Sequence, residues 1–76
     1  MKPEDQRIAI AEACGFDADF LNDLNAMHKV EKVLTADQRD TYIIWLARIC
    51  PLGTFIFSTA AQRAEAFLKT LNLWKS

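Results

Sequence analysis

Two short stretches, Thr35-Ala-Asp-Gln38 and Thr59-Ala-Ala-Gln62, constrain this chain more than anything else in it. In each, a threonine hydroxyl can accept an early helix N–H while the glutamine three residues on reaches back to the threonine N–H, the reciprocal arrangement of a capping box. Helices are therefore expected to begin at Ala36 and at Ala60. After the second box, Ala60, Ala64, Phe67, Leu68 and Leu71 recur at three- and four-residue intervals, and Gln62, Arg63, Glu65 and Lys69 fill the other face. That pattern predicts an amphipathic helix over 60–71 with one buried stripe. Asn72 tolerates the left-handed conformation that ends helices, so Leu73 and Trp74 are expected to fold back over the last turn.

Upstream, Pro3 stands where a first helical residue loses nothing by lacking an N–H, and Glu4 and Asp5 face the positive end of the helix dipole. A helix over 3–14 is expected there, with Ile8, Ala11, Ala13 and Cys14 toward the core, Ile10 to one side and Gly15 as the stop. Phe16 is expected to pack back on that end. Asp17 is read as the cap of a second helix over 18–34, with Phe20, Leu24, Met27, Val30, Val33 and Leu34 at helical spacing.

The third helix, over 36–50, is the least polar. Tyr42, Ile43, Leu46, Ile49 and Cys50 form one stripe, but Ile44 and Trp45 make the other side apolar too. Its aromatic and β-branched content makes a strand over 42–49 the competing reading. As a helix, it is either sandwiched centrally or exposed at an interface. Pro51 ends it, Leu52-Gly53-Thr54 reads as a turn, and 54–57 reads as a short extended segment. The expected fold class is thus all-α, a compact bundle of about four short helices in one domain.

A chain of 76 residues has room for one small core, yet 51% of its residues are hydrophobic. No run approaches the roughly 18 apolar residues of a membrane span, and the acidic, polar start does not read as a signal peptide, so a cytoplasmic location is expected. Cys14, Cys50 and His28 have no metal-ligand spacing, and both cysteines read as small buried apolar side chains. His28 lies at the boundary of its helix with no nucleophile or aligned carboxylate implied by spacing. With only two glycines there is no phosphate-cradling loop, and no cofactor, metal or small-molecule substrate is expected. Residues 1–40 hold nine acids against five Lys and Arg, and residues 41–76 hold one acid against four. The two halves are expected to attract.

Three stretches carry a resemblance: Gln6-Arg-Ile-Ala-Ile-Ala-Glu-Ala-Cys-Gly15, Asp19-Phe-Leu-Asn-Asp-Leu-Asn-Ala-Met-His28 with Glu31-Lys-Val-Leu34, and residues 59–74. Together they resemble short phage and prophage proteins that are similar to the phage α/β/α sandwich domain family. Phe16 stands where that family commonly has Trp, Asn72 where it usually has Gly, and only Asp17-Ala18 remains where it carries a polar insert suited to strands. The helical parts alone are therefore expected, with 42–57 the one place for a residual hairpin. The resemblance brings no catalytic residues with it.

Excess apolar content, a doubly apolar third helix and the lack of a catalytic constellation point to a non-enzymatic protein that binds another protein or a second copy of itself. The contact residues expected are Tyr42, Ile44, Trp45, Arg48, Phe55 and Trp74. For a phage-type protein, one such role is inhibition of a host defence nuclease, as anti-CRISPR proteins do. The alternative is a small DNA-binding regulator, in which Arg48, Arg63, Lys69 and Lys75 converge on one face; their scatter in sequence makes nucleic acid the less expected partner.

Overall fold

The computed structural model describes residues 1–50 and 58–75, and within them the chain forms four helices. These are α1 (Pro3–Cys14), α2 (Leu24–Glu31), α3 (Ala36–Ile49) and α4 (Ala60–Thr70). The all-α expectation holds, and residues 42–49 are helix rather than strand. The expected turn at 52–54 and extended segment at 54–57 lie outside the described residues.

Both capping boxes form as expected. Thr35 N–H donates to Gln38 Oε1 at 2.9 Å and Gln38 N–H to Thr35 Oγ1 at 3.2 Å. Thr59 and Gln62 repeat the exchange at 2.9 and 3.1 Å. Each box satisfies two of the amide groups that a helix start leaves without partners. At the far end of α4, Asn72 takes a left-handed φ of 59° and Leu73 N–H donates to the Leu68 carbonyl at 2.8 Å, which turns the chain back. α3 stops at Cys50, whose extended backbone suits the residue before a proline.

The first half departs further from expectation. α1 starts at Pro3 and ends at Gly15, which closes the helix with an N–H to the Ala11 carbonyl at 2.9 Å and a φ of 86°. A Cβ there would meet nothing, so the glycine is required by its backbone angle and not by space. The face of α1 is rotated from the one expected. Ile10 is fully buried, whereas Ile8 and Ala13 are exposed and Ala11 and Cys14 are half-buried. Alanines at 9, 11 and 13 surround Ile10, leaving little contrast between the sides of this helix.

The second helix is much shorter than 18–34. Asp17 is not its cap, because its carboxylate is held by Arg7 Nη1 at 2.6 and 2.7 Å. Residues 19–23 instead form a turn, in which the N–H groups of Asn22 and Asp23 donate to the Asp19 carbonyl. Asp23 is the cap, accepting from the N–H groups of Asn25 and Ala26. Phe20 is buried by this turn, with Phe16 edge-on to it at 5.5 Å. After Glu31 the chain tightens, with the N–H groups of Lys32, Val33 and Leu34 bonding three residues back. Leu24 and Val33, expected in the core, are exposed; Met27, Val30 and Leu34 are buried.

α4 is the centre of the bundle, and the main interhelix packing is α4 against each of α1, α2 and α3. Its Ala60, Ala64, Ala66, Phe67 and Leu68 are all buried. The three alanines let neighbouring backbones come close, while Phe67 and Leu68 fill the space between them. Ile10, Phe20, Met27, Val30, Leu34, Tyr42 and Leu46 complete the cluster.

Candidate functional site

α3 rests on α4 through one stripe, Tyr42 and Leu46, with Cys50 continuing it just past the helix. Trp45 and Ile49 are half-buried against the core at the edges of that stripe, and the other apolar side chains of the helix are exposed. Ile44, 54% exposed, lies on the side turned from α4, and Ile43, 48% exposed, lies on the flank nearer Arg63. Arg48, one turn after Ile44, is exposed as well. Of the two positions left open for this helix, sandwiched or bared, it takes the second.

The residues expected to form a contact face divide accordingly. Ile44, Trp45 and Arg48 lie together on the outer side and near flank of α3. Tyr42 does not belong with them: it is 3% exposed and points into the bundle, because it is the stripe residue that packs on α4. Trp45 is half-buried, and so is Trp74, which packs against the core as a lid. Phe55 lies outside the described residues.

One side chain without a sequence-level signal for the role joins the two tryptophans. Lys69 Nζ lies 5.2 Å from the Trp45 ring centroid and 5.4 Å from that of Trp74, within cation–π range of both. It also pairs with Glu65 Oε2 at 2.8 Å. On the outer side, the Arg48 guanidinium lies 5.4 Å from the Trp45 ring. Trp45 is thus flanked by two cations. Only the Lys69–Glu65 pair could be read from spacing, one helical turn; the lysine's place between two rings depends on the turn at Asn72.

A second feature lies on the other flank of α3. A cavity of about 450 Å³ is lined by Leu34, Tyr42, Ile43 and Leu46 and by the charged side chains of Glu31, Lys32, Arg39 and Arg63. Glu31 accepts from Arg63 Nη1 at 3.1 and 3.3 Å, a pair that joins the acidic half of the chain to the basic half. The pairs of Arg7 with Glu4 and Asp17, and of Lys69 with Glu65, each stay within one half. The Tyr42 hydroxyl is sealed from solvent and lies close to the Glu31–Arg63 pair. Burial drives its proton affinity well above that of an ordinary phenol, the nearby Glu31 carboxylate adds to this, and Arg63 works against it.

Of the four cations expected to converge on nucleic acid, Arg63 and Lys69 are engaged with Glu31 and Glu65, and Arg48 lies against Trp45. His28 is exposed on α2, and both cysteines are free thiols, Cys50 buried and Cys14 half-buried. Among the described residues no group of three His, Cys, Asp or Glu side chains is placed to hold a metal ion, and no helix is long and apolar enough to cross a membrane. Comparison of the chain with known protein families, with curated proteins and with solved structures finds no match.

Proposed function

We propose that this protein is a non-enzymatic binding module that works when another protein covers the outer face of α3. The observation that carries the reading is Ile44, 54% exposed beside a half-buried Trp45 on a helix whose core stripe is already complete. Single apolar residues on a surface are ordinary, but Ile44 next to a partly exposed tryptophan forms a patch of the kind that marks contacts. Arg48 over Trp45 supplies the mixture of aromatic and arginine that is enriched where binding energy concentrates. The phage-type resemblance makes a host or phage protein the expected class of partner, and masking the working surface of a host defence nuclease is one form such binding takes. A DNA-binding role draws less support, since Arg63 and Lys69 are already paired with acids.

A pull-down from the native host, run beside light scattering of the purified protein, tests this. Wild type is expected to recover a partner, or to run as a dimer if the cover is a second copy; Ile44→Asp is expected to lose either. Recovery of the same partner by both proteins, or a strictly monomeric wild type that captures nothing, would remove the reading.

A further inference from the structure

α1 and α2 each turn a face to solvent, and the two faces carry opposite charge. α1 buries Gln6 and Ile10 and packs on α4. Glu4, Asp5, Ile8 and Glu12 recur at three- and four-residue intervals on its outer side, and all four are exposed. Phe16, 37% exposed, borders the same surface depression as Ile8 and Glu12. Of the two cations beside this face, Arg7 is held by Glu4 and Asp17, and Lys75 forms no ion pair among the described residues. Asp5 and Glu12 have no ion-pair partner there either. α2 buries Ala26, Met27 and Val30, while Asn25, His28 and Lys29 on its outer side, and Lys32 just past its end, are exposed. The acids of this segment are already engaged, Asp23 by the amides of Asn25 and Ala26 and Glu31 by Arg63. Lys29 and Lys32 have no ion-pair partner among the described residues, and the segment also bares Leu24 and Val33, 39% and 47% exposed.

We propose that the acidic outer face of α1 docks on the basic outer face of α2 in a second copy of this chain. Asp5 and Glu12 meet Lys29 and Lys32, and Ile8 and Phe16 cover part of the apolar surface that Leu24 and Val33 leave to water. Complementary charge selects this occupant. Each face repels its own kind, so α1 on α1 or α2 on α2 is disfavoured, and a formal net charge of −1 leaves little overall repulsion between copies. Because the two surfaces differ, the contact is head-to-tail and every added copy leaves one of each face free, so it builds rings or open chains that lengthen with concentration. It uses none of Ile44, Trp45 or Arg48 and stands apart from the outer face of α3.

The test is sedimentation velocity of the intact protein in about 0.01 M and about 1 M salt, where exposed charges are screened beyond about 30 Å and about 3 Å. Wild type is expected to associate at low salt, with mass rising as concentration rises, and to return to monomer at high salt. Asp5→Lys with Glu12→Lys, and separately Lys29→Glu with Lys32→Glu, are each expected to weaken association about tenfold, with the fold intact by circular dichroism. An equimolar mixture of the two variants is expected to regain it, because each finds the opposite charge on the other; a loss caused by misfolding would not be regained. Ile44→Asp is expected to leave association unchanged, which separates this contact from a dimer formed through α3. Reversed variants that associate like wild type, a mixture that stays monomeric, or a loss on Ile44→Asp overturns the proposal. So does a wild type that stays monomeric at low salt, which would leave the α1 face to a basic partner of another kind.

Discussion

α3 and α4 differ in a way their composition does not announce. α4 carries four alanines and four strongly polar or charged residues, yet five of its eleven positions are buried. α3 is greasier, with a tyrosine, a tryptophan, a leucine and three isoleucines, yet it buries only Tyr42 and Leu46. What separates them is the number of neighbours. α4 packs against three helices and must be slim enough to be approached from several sides, which its alanines allow. α3 packs chiefly on α4 alone, so one stripe is all it can hide. Apolar content therefore measures how much a helix could bury, and its place in the bundle decides how much it does. In a domain this small, the remainder is available to other molecules.

The sharpest way to break that contrast is Phe67→Ala. Phe67 is fully buried at the centre of α4, and its loss should cost about 3–5 kcal/mol, enough to unfold much of a domain of this size in urea titration. If α3 were the true centre, Phe67→Ala would be tolerated. Next come the two caps. Thr59→Ala and Thr35→Ala should each cost about 1 kcal/mol by the same measurement. The Thr59 change should be the more damaging, because loosening the start of α4 disturbs every interface in the bundle.

A weaker effect, absent at neutral pH, comes from Tyr42. The folded phenol keeps its proton to higher pH than the unfolded one, which ionises near pH 10. Above that pH the unfolded chain binds fewer protons than the native one, so stability should be flat below about pH 10 and fall as pH rises beyond it. Tyr42→Phe should abolish this contribution and leave a shallower alkaline decline. As the chain has a single tyrosine, phenolate absorbance tracks the same group directly. The smallest effect expected is that of Ile44→Ala, within about 0.5 kcal/mol of wild type, since an exposed side chain leaves no cavity behind. A loss of several kcal/mol there would mean that Ile44 is part of the core.

Much of the fold was legible where the signal is local. A capping box states both its partners within four residues, and so Ala36 and Ala60 begin helices as expected. Gly15 and Asn72 likewise announce left-handed stops. Asp17 and Asp23 are a different matter: each is an aspartate able to cap a helix starting just after it, and the choice is made by Arg7, ten residues before Asp17, which takes its carboxylate. Ile8 and Ile10 exchange sides relative to expectation because alanines surround them and offer no polar contrast. Of the residues expected at a contact, Ile44 and Arg48 lie exposed on the back of α3, but Tyr42 falls inside because it belongs to the stripe and not to the back. The cavity was not legible at all. Glu31 and Arg63 meet across two intervening segments, and no local spacing encodes such a pair.

The ammonium of Lys69, held between Trp45 and Trp74, gives the molecule its own gauge. These are the only two indoles in the chain, so its intrinsic emission comes from rings that share one charged neighbour. A partner settling on α3 would disturb one ring directly and the other through that lysine, and the tail of the protein would register an event at its flank without any label being added.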